Sequence, residues 1–268
     1  MTETATVADE AFQPSEYIEG DLGRGLLLLC DHARNTVPPE YGDLGVPPEQ
    51  FQRHIGYDIG ARDVTLELAR RLGAPACLST FSRLLIDPNR GEDDPTLIMR
   101  LSDGAVVPGN AKVGPQERAR RIERFHKPYH DLIDATLNRM EAAAPPPVLV
   151  SIHSFTPVWR GVPRPWHVTV LWDCDPRAVT PMLEGLRAQD GLIVGDNEPY
   201  DGALKNDTMY RHATSRGFAH VLLELRQDLI ADEAGVLEWA DRLEPVMNSI
   251  SRMEDCRKVR HFKSRCDI

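Results

Sequence analysis

The sequence predicts an α/β fold: a single-domain, three-layer sandwich with a mostly parallel, mixed sheet between helices. Short apolar runs at 25–30, 148–154 and 219–225 have strand length and are apolar on successive residues, as strands covered on both faces are. The stretches between them repeat apolar residues three and four apart, and strands alternating with helices build a parallel sheet sheathed on both sides. The runs also deliver polar residues together. Asp31-His32 and His153-Ser154 stand where strands give out, and Glu224 is set among leucines. In open α/β sheets the carboxyl edge of the strands is where ligands and chemistry sit.

In chain order, residues 1–20 read as an N-terminal arm, with Phe12 and Tyr17 available to dock on the body, 21–250 as the domain and 251–268 as a C-terminal tail. The strand at 25–30 leads into Asp31-His32-Ala33-Arg34-Asn35, and Pro38-Pro39 begins a loop. Ala61, Val64, Leu68 and Leu72 make one helical face, closed by Gly73 and Pro75. A second strand covers 76–81; 84–86 either continues it or forms another, before the turn Asp87-Pro88-Asn89-Arg90-Gly91. Residues 93–114 make a polar loop longer than ordinary connections, a length typical of lids and binding loops. Ile122, Phe125, Tyr129, Ile133, Thr136 and Met140 line one side of a long helix that Pro128 kinks or restarts, because proline brings no amide hydrogen.

Pro145-Pro146-Pro147 end that helix, and the strand at 148–154 follows. A loop with Trp159 and Trp166 leads to a strand at 168–172, a helix at 179–186 and a strand at 192–194. A helical stretch at 207–216, the strand at 219–225 and a helix at 235–247 complete the chain, without internal repeat or linker.

The 268 residues and 41% hydrophobic content supply a sizeable core, and the net charge of −10 disfavours nucleic acid, which needs a clustered basic face. The basic stretch at 257–263 reads as a solvated tail. Five scattered cysteines without a C-x-x-C pair indicate neither a disulfide framework nor a zinc knuckle. No apolar run reaches the roughly 18–20 residues of a membrane span, and residues 1–10 lack the pattern of a signal peptide. The expected setting is the cytoplasm.

His32 and His153 form part of the donor set of a hydrolytic zinc site, which takes three protein ligands and keeps one position open. Hydrogen-bonded structural histidines are the alternative. Asp58, just before a helix, is a candidate third ligand or a helix cap. Asn35 competes for the ligand role, although neutral amides bind zinc poorly. Glu224 must face a polar cavity or pair with a cation, since buried carboxylates are almost never left alone. It is either a general base acting on water or the partner of Arg226 or Arg83. Asn89-Arg90 suits a carboxylate clamp, by bidentate guanidinium pairing, or plain turn chemistry. His126 and His130 stand four apart with Pro128 between them and no adjacent glutamate, so they are not the metalloprotease helix motif. One of the two remains a candidate for the pocket wall. His54, His167, His212, His220 and His261 carry no assignment.

Seven pieces in order resemble the N-formylglutamate amidohydrolase family. They are Asp31-His32 with Pro38; Asp58; residues 83–90; residues 126–130; residues 151–154; residues 197–202; and residues 223–226. The resemblance spans residues 25–245. It implies a fold similar to zinc carboxypeptidases and aspartoacylases, Zn2+ or another divalent metal as cofactor, and hydrolysis of a formyl-like N-acyl group from an acidic amino acid such as N-formylglutamate. By the same resemblance His32, His153 and Asp58 are metal ligands and Glu224 is the general base. Arg83, or else Arg34, stabilises the oxyanion; Asn89 and Arg90 hold a substrate carboxylate; and His130, Asn197 and Arg226 line the pocket.

The chain departs from the family pattern at His32-Ala33-Arg34 in place of His-Ser-Gly, at Ser151-Ile152 before His153, and at residues 197–203 in place of Asn-Asp-Pro-Tyr-x-Gly-Gly. The metal and base positions therefore match better than the substrate-facing ones. A carboxypeptidase-like peptidase acting on small peptides and a non-catalytic binder of acidic metabolites are the competing functions. The expected partner is a small-molecule N-acyl amino acid, with neither nucleic acid nor membrane.

Overall fold

The computed structural model describes residues 12–267. The first part of the expected N-terminal arm, including residues 1–10, lies outside the described residues. Seven strands form the central sheet: β1 (Ser15–Ile18), β2 (Leu26–Cys30), β3 (Ala76–Ser79), β4 (Val148–Phe155), β5 (Val168–Leu171), β6 (Val194–Asp196) and β7 (His220–Arg226). Their spatial order is β1-β3-β2-β4-β7-β5-β6. The inner strands β3, β2, β4 and β7 run parallel, β1 lies antiparallel on β3, and β5 lies antiparallel on β7 and parallel to β6. The sheet is thus mixed and mostly parallel, as the sequence predicts.

The helices that cover it are α1 (Ala61–Leu72), α2 (Pro115–Arg121), α3 (Lys127–Ala143), α4 (Val179–Arg187), α5 (Thr208–His212) and α6 (Glu233–Ile250). Side chains alternate across a strand. Val148, Val150 and Ile152 of β4 therefore pack in one core with Val64 and Leu68 of α1, Met182 of α4 and Trp239 and Leu243 of α6. Leu149 joins the opposite core with Tyr129, Ile133, Leu137 and Met140 of α3. Among the described residues no helix is long and apolar enough to cross a membrane.

Three local expectations change. Residues 15–18 are not a loose arm; Ser15–Ile18 pairs with all of β3, Ser15 opposite Ser79 and Ile18 opposite Ala76. Residues 84–86 form no strand. Leu84, Leu85 and Ile86 are buried in a third core of loop residues with Leu44, Phe81 and Phe125, so their apolar character reflects loop packing. The break near Pro128 is a restart: a π-turn, Ile122–His126, widens the chain before α3 begins with Pro128 in its first turn. Proline suits a first turn, where the missing N–H has no helical acceptor. The 93–114 loop contains a small hairpin, Leu101–Ser102 with Ala105–Val106.

Candidate active site

In the parallel register of β4 and β7, His153 stands opposite Glu224, so the two side chains rise together from one face of the sheet. His32 follows β2 on the neighbouring strand, and the backbone N–H of Asp58 donates to the His32 carbonyl at 2.9 Å. The chain then turns into α1 through Gly60, whose φ is +78°; a Cβ there would lie 2.1 Å from the Ile230 carbonyl oxygen, so only glycine allows this approach.

The two imidazoles converge. His32 Nδ1 and His153 Nδ1 lie 3.3 and 2.9 Å from the same oxygen, Asp58 Oδ2. One ligand atom each from His32, Asp58 and His153 lies within 4.8 Å of the others, and all three residues are buried. The far nitrogens are occupied: His32 Nε2 is 2.7 Å from Asp87 Oδ1, and His153 Nε2 is 2.8 Å from Asp31 Oδ2. An ionised carboxylate only accepts, so each Nε2 carries a proton and each Nδ1 is the atom turned to the shared point. Carboxylates held behind the distal nitrogen are how proteins orient metal-ligating histidines. The donor set therefore fits a divalent ion. Asn35 does not take part, because its amide donates to the Phe51 carbonyl at 3.0 Å.

Electrostatics follow from burial. Burial opposes ionisation of Asp31, but the His153 hydrogen bond, the charges of His153 and His32 and the Thr208 hydrogen bond together outweigh it and hold the carboxyl well below its usual range. Tyr129 Oη, Thr208 Oγ1 and Ser151 Oγ also donate to Asp31, at 2.9, 2.7 and 3.0 Å. Burial and the Arg83 charge push His32 down to about 4. For His153, burial is outweighed by the hydrogen bond to Asp31 together with the Asp31 and Glu224 charges, and the imidazole is raised. Glu224 is raised by burial, tempered by the charges of His153 and Arg83, and its Oε2 is buried without a hydrogen-bond partner. Neither pairing considered for Glu224 occurs: Arg226 binds Asp228 at 2.8 Å, and Arg83 binds Asp58.

A cavity of about 360 Å³ joins these groups, lined by His32, Arg83, Asn89, Arg90, His153 and Glu224 among others. Three residues expected in its wall are elsewhere. His130 spends its ring nitrogens on the Pro88 carbonyl, at 3.0 Å, and on His212, at 2.7 Å. The Asn197 amide braces a loop, accepting from the N–H groups of Trp172 and Gly202 and donating to the Trp172 carbonyl. Arg226 is drawn aside by Asp228. In each case a polar residue close to the site in sequence is held by a nearer backbone or charged partner. Arg34 likewise pairs with Glu16 at 3.2 Å rather than entering the cavity.

Other wall residues were not singled out from the sequence. His54 lines the cavity with Nδ1 3.2 Å from Asp58 Oδ1, off the line a hydrogen bond requires. Asp207 is buried, and burial raises its carboxyl to about 7. Arg164, behind the wall rather than in it, lies over the rings of Phe155, Trp159 and Tyr200, 5.1–5.7 Å from their centroids, and its charge reaches Glu224. For Asp31 and Asp87 a signal existed, since each carboxylate directly follows an apolar run and must be paired. For Arg164, in a loop of mixed composition, none did.

An α/β sheet whose carboxyl edge brings a His–Asp–His set and an unpartnered buried glutamate into one cavity is the framework of a hydrolytic enzyme. Comparison supplies the family. The profile of the N-formylglutamate amidohydrolase family matches residues 24–231, and the chain belongs to that family. Among solved structures, a gene product of Agrobacterium tumefaciens is 31% identical with a TM-score of 0.83, covering 89% of this chain and 95% of that one. An N-formylglutamate amidohydrolase from Ralstonia eutropha is similar in fold, at 21% identity and a TM-score of 0.65, covering 89% of this chain and 97% of its own. No curated protein matches the sequence.

Proposed function

We propose that this protein is a divalent-metal-dependent amidohydrolase, with Zn2+ the first candidate, that removes the N-acyl group of an acidic amino acid such as N-formylglutamate. One observation carries the reading: His32 and His153 aim Nδ1 at a single Asp58 oxygen, each braced by a carboxylate, beside the unpartnered oxygen of Glu224. When bound by His32, Asp58 and His153, the ion supplies Lewis-acid polarisation and lowers the pKa of water towards about 7.

The chain's own residues do the rest. Glu224, made more basic by burial, takes a proton from the water that attacks the acyl carbon and passes it to the amine nitrogen as the C–N bond breaks. Arg83 Nε is a buried donor without a partner, and it faces charge that develops on the carbonyl oxygen. Arg90 stands 3.9 Å from Asp87 and 3.8 Å from Asp94, too far for strong pairing, so its guanidinium is available to a substrate carboxylate with Asn89 beside it.

Elemental analysis before and after chelation, coupled to assays with N-formyl, N-acetyl and N-succinyl amino acids and short peptides, tests the reading. The expected result is stoichiometric metal, chelator-sensitive turnover and preference for an acidic N-formyl amino acid. Glu224→Gln should retain metal and lose roughly 10²–10⁴-fold in kcat. Wild-type turnover by that variant removes Glu224 from the base role. Preference for peptides favours the peptidase, and ligand binding without metal or turnover favours the binder.

A further inference from the structure

Behind the turn that carries Asp87, Asn89 and Arg90 lies a second group of buried histidines, none of which lines the cavity. The π-turn ending at His126 and the first turn of α3 bring His126 and His130 side by side, with ring centroids 4.3 Å apart. His126 Nε2 is 2.9 Å from the Arg90 carbonyl oxygen, and His130 Nε2 is 3.0 Å from that of Pro88. Carbonyl oxygens only accept, so both Nε2 atoms carry protons.

Burial lowers the proton affinity of both rings, which therefore hold one proton each. His130 Nδ1 is then an acceptor, and its neighbour at 2.7 Å, His212 Nε2, must donate to it. His212 Nδ1 in turn faces Asp134 Oδ1 at 3.0 Å. Burial resists ionisation of Asp134, but the His212 hydrogen bond and the charges around it, Arg216 and Arg211 among them, together hold its carboxyl below the usual range. A continuous chain of contacts thus runs from the surface inward: Asp134, His212, His130, Pro88. Thr208, on the same short helix as His212, joins in: its N–H donates to Asn89 Oδ1 at 3.1 Å.

We propose that His126, His130 and His212, anchored on Asp134, form a proton-ordered clamp that sets the Asp87–Arg90 turn and so places Asn89 and Arg90 against the substrate carboxylate. This rests on the reading that the turn holds substrate. The histidines are positioning residues, each acting through a backbone carbonyl or another ring. Hydrogen bonds to backbone carbonyls hold the turn without using any side chain that must remain free for substrate.

Long-range 1H–15N correlation spectra of the intact protein at neutral pH read the ring protons without any substrate. His126 and His130 should appear as neutral Nε2–H tautomers, and His212 should carry a proton on Nε2, the atom that donates to His130. A proton on His130 Nδ1, or a His212 Nε2 without one, overturns the clamp. In kinetics, His130→Leu should raise KM for the N-acyl substrate roughly tenfold, the worth of one well-placed hydrogen bond, with kcat and metal content little changed. His130→Gln, which keeps an N–H near the ε position, should recover most of that loss. An unchanged KM in the leucine variant, or no recovery in the glutamine variant, also overturns it. Should His130→Leu not fold, Asp134→Ala at the surface serves: it removes the carboxylate that faces His212 Nδ1, so the His212 ring signals should shift and KM should rise as in the leucine variant. A His212 unmoved by that change removes Asp134 as anchor. Failure of wild type to hydrolyse any N-acyl amino acid counts against the functional reading alone, because the ring protons are read separately.

Discussion

Asp31 shows what a single buried carboxylate does here. It receives His153 Nε2 and three hydroxyl groups, and so fixes the direction of His153 Nδ1. Asparagine in its place is isosteric, but its neutral amide orients the imidazole less strongly and makes it a less basic ligand. Asp31→Asn should weaken metal binding by about 10–100-fold, the usual cost of losing a carboxylate behind a ligating histidine. Titration against a competing chelator measures this, and an unchanged Kd would mean that Asp31 serves only the core. His32, His153 and Glu224 are legible in the sequence because each interrupts or ends an apolar run. Asp87 is legible as a carboxylate that needs a partner, but its contact with His32 spans 55 positions in the chain, and no local pattern names that partner.

At the scale of elements, the short helix α5 depends on the residue just before it. Asp207 caps it by accepting the Tyr210 N–H at 2.7 Å, although burial raises its carboxyl to about 7. The folded pKa stands above the unfolded value of about 3.9. The folded state therefore binds the proton more tightly, and stability is lost as pH rises between the two values. Asparagine caps a helix as well as aspartate and does not ionise. Chelator-treated Asp207→Asn should thus gain thermal stability over wild type, by more at pH 8 than at pH 5. A gain that is equal at both pH values would show that Asp207 ionises without cost. Helices α1 and α6 were readable from their apolar period, whereas the π-turn before α3 was not. Pro128 announced an interruption, but its form depended on His126 reaching the Arg90 carbonyl.

Across the whole molecule, the C-terminal segment is tied back to the body. The buried Arg177 guanidinium binds Asp175 through Nε at 2.9 Å and through a terminal nitrogen at 2.6 Å. It also donates to the carbonyls of Gly217, at 3.0 Å, and Asp255, at 3.2 Å. Arg265 reaches Asp201, on the cavity wall, at 2.6 Å. Arg177→Leu leaves Asp175 buried without its partner, so urea denaturation should show a loss of about 3–5 kcal/mol. A loss under about 1 kcal/mol, the range of surface pairs, would mean that water reaches the pair.

The sequence by itself determined the strands and the main helices, the side of the sheet where chemistry gathers, and three of the groups that meet there. Those features depend on local periodicity and on the rule that a polar residue in an apolar run needs a reason. Only the tertiary structure decided which carboxylate stands behind which imidazole, that Asn35, Asn197 and Arg226 are held away from the cavity, and that three more histidines gather behind the Asp87–Arg90 turn. Hydrogen-bond partners are chosen by distance and direction in space, and residues far apart in the chain acquire both only when the sheet and its covering layers are assembled.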